Sequence, residues 1–474
     1  MASWISDELE GIDFGDKRLN SRMASVANSF MKNPTQRVYQ VGGPADAKGA
    51  YRMFSNDKVL PSKIREPHHL RTAERAKKYK TVLNIQDSCN IRFPGQEKAS
   101  GLGYLVSSAG TSPTPGALTA HNSYLLSPDG LPLGLIDQQV WPRFEVCRGR
   151  SKDEQKNYLF NTPFEEKESM KWVNGMRAAK ELVDDSVDII NVADREADIY
   201  EFMYASVNEG SSFIVRARND RYVDLSKTSY TCISEMFLDR KTDFKTSVDI
   251  AGNSIKEMRT AKLEVRFQNV TLGVPLKKFH PSSDLSILEP IKTCIIWVSE
   301  KKAPKGIPPI SWLILTNKRV QSKSFASKVV DYYSKRWLVE IFHKSLKSGC
   351  KIESCRLEEG MRITRLVTLS SIIAHRLMEL TYLYRIKPSM RCGYVLSENE
   401  WKALWIKFKK NKNFPDSPPT VRTVVTWIAT LGGFLWRKSD GPPGIVVMWN
   451  GWKKLSSYAE GLEDMQLLNS ETCG

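Results

Sequence analysis

The sequence predicts an α/β protein with helical segments at both ends. Apolar residues recur at helical spacing up to about residue 75, strand-like runs extend from residue 81 to about 320, and helical patterns resume at 324. A chain of 474 residues with 41% hydrophobic residues is long enough for several cores. We predict a helical head (1–75), an α/β core in two pieces (76–211 and 321–390) separated by a β-rich insertion (212–320), and a helical C-terminal region (391–474).

Composition limits the class of partner and the compartment. The formal charge of +17 and the pI near 9.3 suit a polyanionic partner such as nucleic acid or, less often, an anionic membrane, and charge alone does not choose between them. The first residues do not resemble a signal peptide, and no run approaches the length of a membrane span, so we expect a cytoplasmic protein. Eight cysteines without a C-x-x-C pair indicate neither a disulfide scaffold nor a zinc site.

The helical head carries basic residues beside its apolar stripes. Residues 17–33 place Leu19, Met23 and Phe30 at helical spacing, and Arg18 is displaced from that stripe. Residues 44–57 form a second, shorter helical segment that includes Arg52. The pattern is compatible with a small bundle that has a solvated basic face or with a DNA-binding head.

The core begins with strands, and two of them end at an aspartate. Residues 81–93 form an apolar run that breaks at Asp87, and the strand 187–193 stops at Asp194. Ligand sites of open α/β sheets lie beyond strand ends, so both carboxylates are candidate site residues. Asp194 is also suited to capping the helix that follows, and Asp87 to a strand edge. Other predicted elements are a hairpin around the turn 128–130, helices near 167–185 and 195–207, and insertion strands near 212–218, 261–267, 293–300 and 311–316.

The segment YSKRWLVEIFHKSLK (333–347) combines an acid with cations. At 100° per residue, one arc of about 80° contains Tyr333, Arg336, Glu340, Lys344 and Lys347. The apolar residues lie opposite and should be buried, so we expect the whole arc to face outward. Glu340 and Lys344 also form an ordinary i,i+4 pair, but that pairing does not account for Tyr333, Arg336 or Trp337. Three separated carboxylates with flanking cations suit two Mg²⁺ ions about 4 Å apart acting on phosphates.

These residues resemble a known signature. Tyr333-x-x-Arg336-x-x-x-Glu340-x-x-x-x-x-x-Lys347 is similar to the Y-x(2)-R-x(3)-E-x(6)-K signature of cut-and-paste DDE transposases of the insertion-sequence-four group, typified by the transposase of bacterial transposon five. The motif DREADIY (194–200) resembles the second-aspartate motif of the family, and Asp87 in NIQDSCNI occupies the place of the first. Shorter similarities at 15–18, 49–52, 431–438 and 449–452 follow the family order over nearly the whole chain.

The resemblance implies a ribonuclease-H-like catalytic core and a role for each candidate residue. Asp87, Asp194 and Glu340 are implied ligands of two Mg²⁺ ions, for which Mn²⁺ is expected to substitute. Trp312 matches a tryptophan that stacks on a flipped base, although core packing is its structural alternative. The implied DNA contacts are Tyr333, Arg336, Lys344, Lys347, Trp312, Trp337, Arg18 and Arg52.

The resemblance also implies an activity and an assembly. Such enzymes bind transposon end repeats, nick one strand, form and open a hairpin, and join the 3′ ends to target DNA as a synaptic homodimer. We expect a bacterial, nucleoid-associated enzyme with no membrane partner. A structure-specific nuclease of the same fold and a non-catalytic DNA-binding inhibitor are the alternatives.

The C-terminal segment has an apolar stripe that fits two interpretations. Trp452, Leu455, Tyr458, Leu462 and Met465 share one helical face, which indicates core packing or a dimerising helix. By the resemblance, residues 449–465 are dimer surface, including Trp449, Trp452, Leu455 and Leu462.

Overall fold

The computed structural model describes residues 3–105, 113–144, 151, 153–154, 157, 161–224, 230–237, 239–250, 259–275, 288–411, 413–437 and 440–471. Parts of the predicted insertion and Lys438 of the 431–438 motif lie outside these residues. Within them, no helix is long and apolar enough to cross a lipid bilayer.

The head is helical, as its periodicity predicts. The Asp16 side chain accepts a hydrogen bond from Arg18 N and starts the second helix, while prolines occupy the first turns of the next two. The helices of this part are α1 (Trp4–Glu8), α2 (Lys17–Lys32), α3 (Pro44–Phe54) and α4 (Pro61–Ala76).

The first part of the sheet is mixed. Its strand order is β4-β3-β1-β5-β6, with β3 antiparallel to both β1 and β4, and with β5 parallel to both β1 and β6. The predicted hairpin joins β3 to β4 through a turn in which Gly130 has φ +90°, a conformation that favours glycine. These strands are β1 (Thr81–Arg92), β2 (Gly103–Leu105), β3 (Thr114–Leu126), β4 (Pro132–Trp141), β5 (Asp188–Ala193) and β6 (Ser212–Arg216).

The insertion continues the same sheet. Strand β12 pairs antiparallel with β6, so β6 belongs structurally with the core strands although the sequence assigned it to the insertion. Among the described residues the two parts make one twelve-stranded sheet. The remaining strands are β7 (Tyr222–Asp224), β8 (Tyr230–Cys232), β9 (Phe244–Ile250), β10 (Arg259–Leu272), β11 (Ile291–Glu300) and β12 (Ser311–Thr316).

Helices cover both faces of the sheet. Successive residues of a strand point to opposite faces, and Ile214 and Val215 accordingly belong to two different apolar cores. One core involves α5 and α6, and the other involves α8 to α10 together with the head and the C-terminal helices. These helices are α5 (Met170–Leu182), α6 (Tyr200–Asn208), α7 (Ile233–Met236), α8 (Lys323–Ser334), α9 (Leu338–Lys344), α10 (Gly360–Ile386), α11 (Glu398–Lys409), α12 (Val421–Leu431) and α13 (Ile445–Glu471).

The head packs on the core through buried polar contacts. Glu8 is buried and accepts hydrogen bonds from His68 Nδ1 at 2.5 Å and Arg75 Nη2 at 2.8 Å. His68 Nε2 accepts from Leu135 N on β4 at 3.0 Å, so the ring is neutral with its proton on Nδ1. Burial alone would raise the pKa of Glu8, but its partners His68 and Arg75 outweigh burial and lower this pKa.

Glu8→Ala is expected to destabilise the folded chain by about 3 kcal/mol, because it removes the carboxylate partner of both the buried His68 and the half-buried Arg75. The matched control is Glu10→Ala, which removes the exposed Glu10–Arg71 pair and should cost less than about 1 kcal/mol. Urea unfolding at neutral pH measures both variants. Equal losses for the two variants would contradict the role assigned to Glu8.

Candidate active site

Two candidate carboxylates lie on neighbouring parallel strands. Ile85 of β1 pairs with Val192 of β5, and the same register continued by two residues brings Asp194 beside Asp87. Asp194 follows β5 directly and accepts a hydrogen bond from Glu196 N at 2.8 Å, so it also caps a short 3₁₀ turn. Asp87 accepts from Ser88 N at 2.8 Å. Strand β1 continues to Arg92, so the expectation that its strand ends at Asp87 is wrong. The register of the two parallel strands brings the two aspartates together.

Arg336 links the third carboxylate to the first. Its Nη1 lies 3.6 Å from Asp87 Oδ2, and its Nη2 lies 2.6 Å from Glu340 Oε1. Glu340, on α9, exposes 56% of its side chain, whereas Arg336 and Asp87 expose 18% and 17% of theirs. The guanidinium therefore lies between a half-buried carboxylate and an exposed one. We call Asp87, Asp194 and Glu340 the acidic cluster.

The acidic cluster perturbs the protonation of Asp87. Burial, and then the charges of Asp194 and Glu340, raise the pKa of Asp87 to about 7, against the opposing effects of Arg336 and the Ser88 N–H group. With such a pKa the Asp87 carboxyl group binds a proton at neutral pH more readily than an ordinary aspartate, although Arg336 lies beside it.

The carboxylates of the acidic cluster are of the type that binds a divalent cation, but in this structure their side chains are too far apart to coordinate one together. No three His, Cys, Asp or Glu side chains of the described residues are close enough together to hold a metal ion. Carboxylate oxygens are nevertheless the ligands that Mg²⁺ prefers, and the mutual repulsion at Asp87 is of the kind a bound cation relieves. Because Arg336 contacts both Asp87 and Glu340, a cation between them would compete with it.

The expected outward arc is wrong for Tyr333, and the segment is not one regular helix. Helix α8 ends at Ser334, residues 335–337 form a 3₁₀ turn, α9 follows, and residues 345–349 form a π-helical turn. These changes of pitch break the 100° spacing, and Tyr333 is buried. The predicted apolar side is confirmed for the buried residues Leu338, Val339, Phe342 and Leu346.

Tyr333 is buried next to the acidic cluster and contacts residues around it. Its ring contacts the Trp312 ring edge-on at a centroid distance of 5.2 Å, and its hydroxyl group interacts with Arg336 and Arg216. Burial raises the pKa of Tyr333, so the phenol stays protonated at neutral pH. Arg216 was not among the site residues predicted from the sequence. Its position in β6 could have indicated a role in the site. Arg216 comes one residue after Val215, which pairs with Ala193, so Arg216 lies close to Asp194.

The other predicted contacts are distributed around α9. Lys344 is exposed, Lys347 lies 3.6 Å from Glu353, and Trp337 is partly buried against the apolar core. In the head, Arg18 exposes 96% of its side chain and Arg52 is also exposed. Arg18 lies on α2 and Arg52 lies on α3, and both side chains are accessible to a partner.

The predicted dimer residues lie inside the chain, and the expectation that they form a free surface is wrong for three of them. Trp449, Trp452 and Leu455 are buried, and Leu462 is partly buried. Trp452 Nε1 donates to Met31 O at 2.9 Å, which ties α13 to the head. Core packing, the other interpretation of the stripe, explains these side chains. The exposed apolar residues of α13 include Val446, Tyr458 and Met465.

A series of buried side-chain hydrogen bonds connects α9 to β3 and β4. Asn122, which pairs with Asp87 across β1 and β3, accepts from Gln138 Nε2 at 2.8 Å and lies 3.1 Å from His343 Nε2 through its own Nδ2. An amide nitrogen only donates, so His343 Nε2 is the acceptor in this contact. Burial lowers the pKa of His343 to about 3 and keeps the ring neutral. His343 is one helical turn from Glu340 and anchors its helix beside Asp87.

Comparisons with known proteins find transposase families along the chain. Three family models match the chain: "Transposase DNA-binding" over residues 1–59, "Transposase DDE domain" over 173–376 and "Transposase Tn5 dimerisation domain" over 372–472. Among solved structures, the chain is similar to a cryo-EM structure of the piggyBac transposase synaptic complex with hairpin DNA. That similarity has 9% identity and a TM-score of 0.37, covers 78% of this chain and 67% of that chain, and carries no conclusion about function.

Proposed function

Because the chain belongs to the Tn5-like DDE transposases, we propose that it cuts transposon ends and joins their 3′ ends to target DNA. Membership implies a ribonuclease-H-like fold and a DNA cleavage and transfer reaction that depends on a divalent metal. The observation that carries the proposal is the proximity of Asp87 in the middle of β1, Asp194 after the end of β5 and Glu340 on α9, which strand register and the contacts of Arg336 bring together.

The acidic cluster is the proposed metal site. Asp87, Asp194 and Glu340 would hold two Mg²⁺ ions, or Mn²⁺ in their place. When bound, the metals activate the attacking oxygen and stabilise the leaving 3′ oxygen. Arg336 compensates the charge of Asp87 and Glu340 in the free protein, and its release on metal binding would make its guanidinium available to a DNA phosphate.

Cationic and aromatic groups around the cluster are suited to DNA. Arg336, Lys344 and Lys347 are proposed phosphate contacts, and Arg216 joins them because it shares Tyr333 with Arg336. The Tyr333 hydroxyl, protonated at neutral pH, can donate a hydrogen bond to a phosphate. Trp312 and Trp337 are partly buried, and Trp312 is the proposed platform for a flipped base.

The reaction proposed is a series of displacements at phosphorus on one site. Water nicks one strand at the element end, the freed 3′ hydroxyl attacks the opposite strand to form a hairpin, and hydrolysis opens the hairpin. The 3′ ends then attack target DNA. Successive steps need the same charge stabilisation at phosphorus, so one set of carboxylates and cations serves all of them.

The head and the C-terminal region supply recognition and assembly. Arg18 and Arg52 lie within the matched DNA-binding range and are proposed contacts to the end repeats. The matched dimerisation range includes α13, whose exposed face carries Val446, Tyr458 and Met465. We assign the synaptic homodimer contact to that exposed face rather than to the buried tryptophans.

Incubation of the purified protein with Mg²⁺ and a duplex that carries the repeats flanking its gene tests this function. Nicked, hairpinned and excised ends are the expected products on denaturing gels. Binding without products would favour the non-catalytic inhibitor. Cleavage of branched DNA without preference for the end repeats would favour a structure-specific nuclease.

His343→Leu is expected to slow cleavage about tenfold, because it leaves the buried Asn122 amide without its acceptor and loosens the helix of Glu340. His343→Gln retains an acceptor and should keep most of the rate. Single-turnover cleavage and end binding are measured for both variants. Equal rates in the Leu and Gln variants, or a parallel loss of binding, would contradict this positioning role.

A further inference from the structure

The motif DREADIY (194–200) contains a second aspartate that the proposed reaction does not use. Asp198 lies four residues after Asp194 and ends the short 3₁₀ turn of residues 195–197. Its side chain is fully buried, whereas Asp194 is half-buried. A buried carboxylate needs hydrogen bonds and a compensating charge, so its partners indicate what it fixes in place.

The Asp198 carboxylate binds the loop that follows β6. Its Oδ2 accepts hydrogen bonds from Arg218 N at 2.7 Å and from Asn219 N at 2.8 Å. Asn219 Nδ2 donates to the same oxygen at 3.0 Å. Its Oδ1 accepts from Arg221 Nη2 at 2.6 Å and from Arg221 Nε at 3.0 Å, and Arg221 exposes only 10% of its side chain. One buried side chain therefore fixes both the backbone and the side chains of this loop.

Tyr200, the last residue of the motif, contacts the same arginine. The guanidinium carbon of Arg221 lies 5.9 Å from the centre of the Tyr200 ring. The Tyr200 ring is buried, and its hydroxyl group donates to Glu289 O at 2.9 Å. Two side chains of the motif, Asp198 and Tyr200, therefore bind Arg221.

The loop that Asp198 binds begins directly after Arg216. The ladder between β5 and β6 ends at Ala193 and Val215, so Asp194 and Arg216 are the next residues on the two strands. Asp198 lies on the segment after Asp194, and its carboxylate binds the segment after Arg216. It therefore continues the connection between the two segments beyond the end of their ladder.

Arg216 has contacts that depend on the position of this strand end. Its Nη2 donates to Ser311 O at 2.8 Å, and its guanidinium interacts with the hydroxyl group of Tyr333. Ser311 and Tyr333 belong to β12 and α8, far along the chain from β6. A displaced end of β6 would move the guanidinium away from Tyr333 and from the acidic cluster.

We propose that Asp198 is a positioning residue, which fixes the loop after β6 so that Arg216 faces a DNA phosphate beside the acidic cluster. The inference rests on the proposed function, in which Arg216 contacts a phosphate, and it gives a role to the second half of the motif. A guanidinium that is fixed before binding loses less conformational freedom on a phosphate. Loosening the loop should therefore weaken DNA binding without removing a cation.

A double-mutant cycle in the full chain tests this coupling. The affinity for a duplex with the end repeat is measured for Arg216→Ala, for Asp198→Asn and for the double variant, with a chelator so that no strand is cut. Asparagine keeps the size of the side chain but presents an NH₂ group to the donors of the loop. We expect about tenfold weaker binding from Arg216→Ala and about fivefold from Asp198→Asn. The double variant should also bind about tenfold more weakly than the wild type, because Asp198 acts through Arg216.

Asp188→Asn is the control for a general loosening of β5. Asp188 begins this strand, at the end opposite to Asp194, and pairs with Lys318 at 2.8 Å. Its substitution should change end binding little, and equally with Arg216 or with alanine at that position. Urea unfolding of every variant detects a loss of folding. If Asp198→Asn does not fold, Asn219→Ala replaces it, because this variant removes only the side-chain hydrogen bonds of an exposed residue.

The outcomes separate the positioning role from a structural one. Independent effects, with the double variant binding about fiftyfold more weakly than the wild type, would mean that Asp198 acts on the whole fold and would overturn the inference. Wild-type affinity of either single variant would also overturn it, since Asp198 would then position no DNA contact. Absence of cleavage by the wild type with Mg²⁺ would instead reject the proposed function, and the binding cycle would still decide the role of Asp198.

Discussion

Glu340→Gln is expected to reduce DNA cleavage by about 10³-fold or more while end binding stays intact. The substitution removes one negative charge from the acidic cluster and keeps the size of the side chain. Loss of a proposed metal ligand should forfeit several kcal/mol of transition-state stabilisation, and about 4 kcal/mol corresponds to a factor of about 10³ in rate. Single-turnover cleavage with Mg²⁺ measures the cleavage rate, and a gel-shift titration measures the affinity for the transposon end.

Asp331→Asn is the matched control for this variant. Asp331 exposes 57% of its side chain and pairs with Lys335 four residues later, whereas Glu340 exposes 56% and pairs with Arg336 four residues earlier. Its loss should leave cleavage near the wild-type rate. Wild-type cleavage by the Glu340→Gln variant would remove Glu340 from the proposed metal site. Equal binding without cleavage by either the wild type or this variant would favour the inhibitor.

Asp87→Asn is expected to stabilise the metal-free protein by about 2–4 kcal/mol at pH 8 and to have little effect at pH 4. The pKa of Asp87 is about 7 in the folded chain, against about 3.9 for an unfolded aspartate. The folded state therefore binds the proton more tightly. The protonated Asp87 carboxyl group contributes fully to stability below the pKa of the unfolded state. This contribution is lost as the pH rises through the pKa of the folded state. Asparagine imitates the protonated carboxyl group and avoids that loss.

Urea unfolding from pH 4 to 8 with a chelator measures this effect. Asp331→Asn, which removes a carboxylate paired with Lys335 outside the acidic cluster, serves again as the control. Mg²⁺ should stabilise the wild type at pH 8 more than the Asp87→Asn variant, because a ligand bound only by the folded state raises its stability. A variant less stable than the wild type at pH 8 would show that Asp87 is not destabilised by its neighbours.

Local patterns predicted most of the elements around the candidate site. Alternation and apolar runs located β1 and β5, and the turn at 128–130 located the β3–β4 hairpin. The ends of two apolar runs were sufficient to nominate Asp87 and Asp194 as residues of one site. Strand β1 itself continues past Asp87 to Arg92, which the sequence pattern did not predict. The stripe in 333–347 also identified the buried residues of α9 correctly.

Contacts distant in sequence were not predictable in the same way. Arg216 reaches the site because β6 pairs with β5 and places it near Tyr333, and the sequence does not state that pairing. Tyr333 itself is buried, since a 3₁₀ turn interrupts the helix and Trp312 packs on its ring. The apolar stripe of α13 was compatible with core packing and with a dimer surface. The hydrogen bond from Trp452 to Met31 O in the head shows that Trp452 packs inside the chain.

The sequence by itself determined the kind of protein, the order of its parts and the carboxylates available for chemistry. These properties follow from short-range periodicity, turn chemistry and residue type, which act within a few positions of the chain. Only the tertiary structure decided that Arg336 bridges Asp87 and Glu340 and that the insertion extends the core sheet. Strand register and helix packing bring together residues far apart in the chain, and the free energy of those contacts depends on the whole fold.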